Sequence, residues 1–239
     1  MTRAFADVWI SVGNIEGWLT EGQAQMLYRA SATVAPEEAI VEIGSHRGRS
    51  TVILASAKPR SARVIAIDPY ADARWGGGSE ALAHFEANLA SRGLDQEVQQ
   101  IRQLGAEAGR RWDGAPVGLL FVDGAHDYAS VDADLRAWLP HLSSTATVLM
   151  HDAYSSPGVT RAAFHHFYAS REFTFAGSSR SLVAFRRGTQ SPGVRAASAV
   201  RMLAKTPWLA RNLAIKVAMR RGWRPLPPLL GHREATFPY

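Results

Sequence analysis

Two hydrophobic runs in the sequence each end in an aspartate that has a histidine nearby. The first run leads into Asp123-Gly-Ala-His126, and the second ends in His151-Asp152. Carboxylates and imidazoles bind metal ions and move protons, so these four residues have the side chains for both tasks. If the two runs are neighbouring parallel strands, the four side chains gather where open α/β sheets bind ligands, outside the carboxyl ends of the strands. The spacing therefore predicts an enzyme site.

A third hydrophobic run is followed by a glycine-bearing turn. Gly44 and Gly48 stand between this run and a predicted helix, and Asp68 ends the next strand, 24 residues after Gly44. Glycines permit a tight turn, a helix N-terminus offers free N–H groups, and a strand-ending acid can bind ribose hydroxyls. Each feature alone is also typical of an ordinary turn, but together they favour an adenosine-containing cofactor. A lysine does not follow Gly48, which excludes a nucleotide-triphosphate P-loop, and the spacing disfavours NAD.

The elements that must position these residues alternate along the chain. Buried runs predict strands at 39–43, 63–67, 97–101, 117–122 and 145–150, and periodic segments predict helices at 20–30, 50–57, 79–92, 130–142 and 158–170. Residues 173–175 and 181–185 are predicted to pair as an antiparallel hairpin through a turn at 177–179. We therefore expect an α/β fold with a Rossmann-like, doubly wound, mostly parallel seven-stranded sheet, closed by the hairpin and followed by a basic helical tail. The expected boundaries are 1–36 for an N-terminal helical cap, 37–188 for the cofactor-binding domain and 189–239 for the tail.

Four motifs together resemble a known family. They are Glu42–Thr51, Asp68-Pro-Tyr70, Phe121–Tyr128 and His151-Asp-Ala153. Over residues 40–185 the chain resembles the class I S-adenosylmethionine-dependent methyltransferases, and more narrowly the metal-dependent sugar O-methyltransferases of the macrocin type. Asp-Gly-Ala-His-Asp-Tyr is the most specific motif, whereas the usual Gly-x-Gly-x-Gly is relaxed here.

The resemblance implies a role for each candidate residue. The cofactor S-adenosyl-L-methionine would contact Glu42, Gly44, Ser45, Ser50, Thr51, Asp68, Gly105, Ala106 and Asp123, with the ribose at Asp68 and the adenine near Gly105. Asp123, His151 and Asp152 would bind a divalent cation, Mg²⁺ or Mn²⁺, and His126 would be the general base. His151 departs from the family, which often has Glu there. Because imidazole favours softer metals than Mg²⁺, His151 is a ligand, a support for a ligand, or neither.

The implied reaction is O-methylation of a sugar, a glycoside or a glycolipid. An aliphatic hydroxyl is a poor nucleophile at neutral pH, so its methylation needs a base, a Lewis acid, or both. Two alternatives stay open, namely an RNA methyltransferase that uses the basic tail and a non-catalytic cofactor-binding partner protein. A metal and base cluster suits a hydroxyl rather than a base nitrogen, so we expect a small-molecule or saccharide acceptor instead of a nucleic acid.

Charge is divided unevenly along the 239 residues. From Arg186 to Tyr239 there are eleven Lys and Arg against Glu234 alone, a net charge of +10, while the remaining 16 basic and 20 acidic residues give −4. Pro207 predicts that the tail is two helices, with Trp208, Leu209 and Trp223 available to an anionic membrane surface or acidic glycolipid. The alternatives are packing on the body or on a second subunit of a homo-oligomer.

Other features bound the class of protein and the acceptor pocket. The sequence has no cysteine, which excludes disulfides and thiolate metal sites. A secretory signal and a run of about 20 apolar residues are both missing, so we expect a cytoplasmic protein, with peripheral membrane contact through the tail as an option. Tyr128 and Tyr154 could line the acceptor pocket or pack half-buried against the body. His165-His166 is predicted to lie on the surface, and the sequence indicates no partner for it. Residues 70–79 are predicted to form a lid.

Overall fold

The computed structural model describes residues 4–71 and 77–233. The strands are β1 (Ala39–Ile43), β2 (Arg63–Ile67), β3 (Val98–Ile101), β4 (Val117–Val122), β5 (Leu142–Met150), β6 (Phe173–Ser179) and β7 (Leu182–Arg187). The helices are α1 (Phe5–Ser11), α2 (Glu21–Ala32), α3 (Arg49–Ala57), α4 (Gly78–Ala90), α5 (Gly105–Arg110), α6 (Tyr128–Trp138), α7 (Pro157–Phe167), α8 (Pro192–Ala204), α9 (Thr206–Arg220) and α10 (Leu226–Leu229).

The seven strands form one sheet in the order β3-β2-β1-β4-β5-β7-β6. Strands β1 to β5 pair in parallel, and β7 pairs antiparallel with both β5 and β6. The chain winds outward from β1 to β3 and then crosses to β4 on the other side of β1, so the winding direction reverses between β1 and β4. Such a reversal opens a crevice at the carboxyl ends of the strands. The predicted fold class is confirmed.

Both faces of the sheet are covered, which explains why the central strands read as continuous apolar runs. All residues of β1 and β4 are buried. One face packs against α1 to α4 through residues such as Leu27, Ile53 and Phe85. The other packs against α6 and α7 through residues such as Trp138 and Phe167. Burial on both faces fixes the strand ends firmly in place.

Three predicted boundaries were wrong. The helix predicted at 130–142 ends at Trp138, because Pro140 cannot continue the hydrogen-bond ladder of a helix. A 3₁₀ turn follows, and β5 begins at Leu142 instead of residue 145. The hairpin turn lies at residues 180–181 instead of 177–179, where Arg180 adopts a φ of +51°. Gly177 lies within β6 at a shift in register against β7.

The tail forms two main helices, as Pro207 predicted. Helices α8 and α9 meet at Lys205, and Pro207 occupies the first turn of α9. Within the described ranges, every helix is too short or too polar to span a membrane.

Candidate functional site

Backbone hydrogen bonds continue for one residue beyond each central strand and align the predicted site residues. Gly44 N donates to Ile67 O at 2.8 Å, and Asp123 N donates to Ile43 O at 2.8 Å. His151 N donates in the same way to the carbonyl at the end of β4, at 3.0 Å. The glycine turn, the Asp123 loop and the His151 loop therefore leave the sheet side by side at its carboxyl edge.

Gly44 brings the turn after β1 against the loop after β4. It has a φ of +90°, and a Cβ atom built there would lie 2.2 Å from the carbonyl oxygen of Asp123. Only glycine fits this conformation and this close approach. The next residue, Ser45, is buried, and its Oγ lies 3.3 Å from the hydroxyl of Tyr70. Tyr70 was not predicted as a site residue, because a single tyrosine after a strand has no distinctive sequence signal.

Glu42 is fully buried beneath the glycine turn. Thr51 Oγ1 donates a hydrogen bond of 2.5 Å to Glu42 Oε2. Burial raises the pKa of Glu42 to about 7, although the hydroxyls of Ser50 and Thr51 act in the opposite direction. Among the described residues, the other oxygen, Oε1, has no hydrogen-bond partner. A buried acceptor of this kind is suited to a donor group brought in by a ligand.

Asp68 follows β2 and binds two backbone N–H groups. Its Oδ2 accepts from His46 N at 2.9 Å, and its Oδ1 accepts from Tyr70 N at 2.8 Å. The side chain therefore holds the glycine turn and the loop after β2 together. Each carboxylate oxygen has a further lone pair, so this structural role is compatible with binding a hydroxyl ligand.

Gly105 and Ala106, the predicted adenine region, begin α5. A Cβ atom at Gly105 would lie 2.6 Å from Asp134 Oδ1, and Trp138 Nε1 donates to Gly105 O at 2.9 Å. Burial raises the pKa of Asp134 to about 7, although a hydrogen bond from the Ala106 backbone acts in the opposite direction. The sequence analysis missed Asp134 because it lies mid-helix with no motif around it.

Asp123 and His151 are bonded to each other across the ends of β4 and β5. The distance from His151 Nδ1 to Asp123 Oδ1 is 2.9 Å, and His151 is buried. Burial alone would lower the pKa of His151, but the negative charge and hydrogen bond of Asp123 raise it to about 9. The pair is therefore an imidazolium–carboxylate contact.

His126 and Asp152 form the reciprocal pair. His126 Nε2 lies 3.3 Å from Asp152 Oδ2; the His126 side chain is 51% exposed and that of Asp152 only 1%. Asp152 has a φ of +57°. A buried carboxylate in a strained loop thus fixes one edge of an imidazole whose other edge reaches the crevice.

The donors present determine which metal ion this edge could accept. In the parts of the chain that the structure describes, only one group brings three potential metal-ligating atoms within 4.8 Å of one another. It consists of Asp132, His165 and His166. The predicted set of Asp123, His151 and Asp152 is not such a group. Asp152 Oδ1 is buried and without a hydrogen-bond partner among the described residues. Carboxylate oxygens of this kind are the donors that hard cations such as Mg²⁺ and Mn²⁺ prefer.

The C-terminal helix α9 reaches the loop that carries Asp152. Asn212 Nδ2 donates to Tyr154 O at 3.0 Å, and Lys216 Nζ donates to Ser155 O at 3.0 Å. Burial lowers the pKa of Lys216, although the nearby charge of Asp152 acts in the opposite direction. Asn212 and Lys216 were not predicted as site residues, because these contacts join residues about sixty positions apart without any local pattern.

Several remaining predictions are resolved by the packing. Tyr154 is a packing residue, buried with its hydroxyl donating to Met202 O at 2.8 Å. The prediction that His165 and His166 lack a partner was wrong, because Asp132 lies 3.4 Å from His165 Nδ1 and 2.7 Å from His166 Nε2. Tyr128 OH lies 2.6 Å from the same His165 nitrogen. Residues 72–76 of the predicted lid lie outside the described residues.

Part of this chain is similar to a known protein family. Residues 41–153 match the family described as a methyltransferase domain. The uncharacterized protein y4gI of Sinorhizobium fredii is 32% identical over 119 residues, which are 47% of this chain and 13% of that protein. The match thus spans about an eighth of the relative's length.

Solved structures show the same fold at low sequence identity. An O-methyltransferase from Bacillus cereus in complex with SAH has a TM-score of 0.58 at 14% identity, over 77% of this chain and 90% of that chain. TomG from Streptomyces achromogenes, an O-methyltransferase involved in tomaymycin synthesis and solved with SAM, has a TM-score of 0.55 at 19% identity, over 78% and 88% of the two chains. These likenesses concern the fold.

Proposed function

We propose that the protein transfers the methyl group of S-adenosylmethionine to a hydroxyl of a sugar, glycoside or glycolipid. The match of residues 41–153 to the methyltransferase domain family supports this proposal. The cofactor would lie over the glycine turn after β1. Glu42 Oε1, a buried acceptor without a protein partner among the described residues, would bind the ammonium group of the methionine end. Asp68, which already borders the turn, would bind the ribose.

The observation that carries this proposal is the contact between His126 and Asp152. With Nε2 held at 3.3 Å from the carboxylate, the proton of a neutral imidazole resides on Nε2, and Nδ1 keeps the lone pair. Asp152 would then act as the orienting acid, in the manner of other aspartate–histidine pairs that work as general bases. Half exposure of His126 lets an acceptor reach it.

The reaction is a single displacement. The acceptor oxygen attacks the methyl carbon in line with the sulfonium, forming the C–O bond as the C–S bond breaks. The bonding electron pair returns to sulfur and leaves S-adenosylhomocysteine. The hydroxyl proton passes to His126 Nδ1, and Asp152 stabilises the resulting imidazolium.

Asp123 and Asp152 would hold a divalent cation next to the acceptor. When bound, such an ion acidifies a hydroxyl that it contacts. We assign His151 as the support of Asp123, because its Nδ1 is bonded to that carboxylate.

A saccharide acceptor is supported by an aromatic side chain beside the glycine turn. The Trp18 ring lies 5.3 Å from the His46 ring, and Trp18 remains 42% exposed. Arg47 Nη1 binds Glu16 at 2.6 Å and so ties this N-terminal segment to the turn. An exposed indole offers a flat apolar surface with a polar edge, which suits the apolar face of a sugar ring.

The test is a methyl-transfer screen that monitors formation of S-adenosylhomocysteine with sugars, glycosides, glycolipids and RNA as acceptors. We expect turnover with a hydroxylated saccharide, loss of at least a hundredfold in kcat for His126→Ala, and S-adenosylmethionine affinity unchanged within a few fold. His84→Ala, which alters an exposed histidine on α4, is the matched control and should keep full activity.

Three outcomes would contradict separate parts of the proposal. Retained turnover in His126→Ala would contradict the assignment of His126 as the base. Full activity after exhaustive EDTA dialysis would contradict the proposal that Asp123 and Asp152 hold a cation needed for the reaction. If RNA is the only acceptor that is methylated, the acceptor is a nucleic acid and not a saccharide.

A further inference from the structure

Residues 192–233, here called the C-terminal extension, combine an unbalanced charge with an amphipathic fold. They contain nine Lys and Arg and no Asp or Glu. The extension comprises α8, α9 and α10, and each of its two long helices buries some residues and exposes others. Its two sides therefore need separate explanations.

Four of the nine cations of the extension are bonded within the protein, three of them to the body. Met202, Asn212 and Ile215 are buried against the body. Four cationic side chains donate hydrogen bonds to oxygen atoms of the protein: Arg195 to Ala169 O, Lys205 to Ser178 Oγ, Arg211 to Leu230 O and Lys216 to Ser155 O. Arg195, Lys205 and Lys216 therefore stabilise the docking of the extension on the body, whereas Arg211 stabilises the extension itself.

The outward side carries the other five cations, which are all exposed: Arg201, Arg220, Arg221, Arg224 and Arg233. The same side is rich in exposed apolar side chains. Of the ten large hydrophobic residues that are exposed in the described parts of the chain, six lie in this extension: Val194, Val200, Leu203, Val217, Trp223 and Leu229. The extension is only about a fifth of the described residues, so the concentration is marked.

Of the three apolar residues that the sequence predicted for this surface, one is exposed and two are partly buried. Trp208 and Leu209 are partly buried against the core, and Arg211 lies 4.3 Å from the centre of the Trp208 ring. Trp223, in contrast, is 52% exposed beside Arg221, and Leu229 is 80% exposed. The outward surface is therefore centred on the end of α9 and on α10.

We propose that this outward surface binds the headgroup region of an anionic membrane. Arginines attract anionic lipids, while tryptophan and aliphatic side chains enter the boundary between headgroups and acyl chains, and each contribution alone is weak. This inference does not depend on the methyl-transfer reaction, because it rests on residues outside the crevice.

Two other partners fit the surface less well. A symmetric contact with a second copy would place the same arginines opposite each other without any acid in the extension to compensate. Nucleic acid would account for the arginines, but phosphate binding needs no aliphatic side chains such as Val200 and Leu229. An anionic lipid surface uses both kinds of residue.

The experiment is co-sedimentation of the full chain with vesicles of phosphatidylcholine alone and of phosphatidylcholine with 30% phosphatidylglycerol. We expect binding to the anionic vesicles at least tenfold tighter than to the neutral ones, and weaker binding as salt is raised. The charge reversal Arg220→Glu with Arg221→Glu should weaken binding at least tenfold. The matched control reverses Arg110 and Arg111, an exposed adjacent pair at the end of α5, and should leave binding within twofold.

A second variant separates lipid insertion from simple charge attraction. Trp223→Ser with Leu229→Ser keeps every charge, and we expect it to bind anionic vesicles at least threefold more weakly while its circular dichroism is unchanged. Equal binding of the wild type to both kinds of vesicle would overturn the proposal. Two further results would also overturn it. The first is that the protein binds RNA but not vesicles and the serine variant retains the RNA binding in full. The second is a dimer in light scattering that the charge reversal dissociates.

Discussion

At the scale of single residues, the candidate site is built from two acid–histidine pairs that cross between strands. The sequence places Asp123 near His126 and His151 next to Asp152, but the structure pairs Asp123 with His151 and His126 with Asp152. Each strand end thus supplies the carboxylate for the other strand's imidazole. Chain proximity could identify all four residues but not their partners, which depend on the register of β4 against β5.

The fold raises the pKa of Glu42 beneath the glycine turn. Its pKa of about 7 in the folded protein exceeds its ordinary value of 4.5 because the side chain is buried. The folded state therefore binds more protons than the unfolded state between these values. The stability that the protonated group contributes is present below pH 4.5 and is lost as the pH rises through 7.

Binding of S-adenosylmethionine should reverse this effect and release a proton. The cofactor's ammonium group would stabilise the Glu42 carboxylate and lower its pKa, so at pH 6.5 we expect release of a fraction of a proton on binding. Calorimetric titration in two buffers with different ionisation enthalpies measures that release. Glu42→Gln should abolish it, whereas Glu86→Gln on the exposed side of α4 should not. Identical heats for the wild type in both buffers would contradict the placement of the ammonium group.

At the scale of elements, the strands were predictable and the connections were less so. β1, β2 and β4 match their predicted bounds because burial on both faces requires unbroken apolar runs. The methyltransferase resemblance, carried by the loops after these strands, is confirmed. The turn at Arg180 could not be predicted, because an arginine with positive φ has no sequence signature, whereas Gly177 resembled a turn and lies in a strand.

The turn after β1 depends on glycine for two reasons that substitution can separate. Gly44 and Gly93 both have a positive φ, at +90° and +65°. A Cβ atom added at Gly44 would lie 2.2 Å from the Asp123 carbonyl oxygen, whereas a Cβ atom added at Gly93 would meet open space. Gly93→Ala should therefore cost only the conformational strain, about 1 kcal/mol. Gly44→Ala should cost clearly more and weaken cofactor binding as well. Chemical denaturation and calorimetry check this, and equal losses would show that the close approach is unimportant.

At the scale of the whole molecule, the C-terminal extension is part of the body that holds the site. Charge asymmetry along the sequence indicated an appendage, and packing on the body was one of the alternatives it left open. The structure joins Asn212 and Lys216 to Tyr154 and Ser155, in the loop that follows Asp152. Contacts between such distant segments arise from tertiary packing, so composition and periodicity carry no information about them.

This arrangement predicts that the extension and the domain unfold together. Asn212 is fully buried, and its amide satisfies the carbonyl of Tyr154. Asn212→Ala leaves that carbonyl without its donor, which should cost about 1 to 3 kcal/mol. We expect a single calorimetric transition at a lower temperature, while Asn14→Ala, at an exposed site bonded to Arg92, should shift it far less. A separate early transition in Asn212→Ala would mean that the extension is an independent unit, and an unchanged midpoint would mean that the contact does not stabilise the fold.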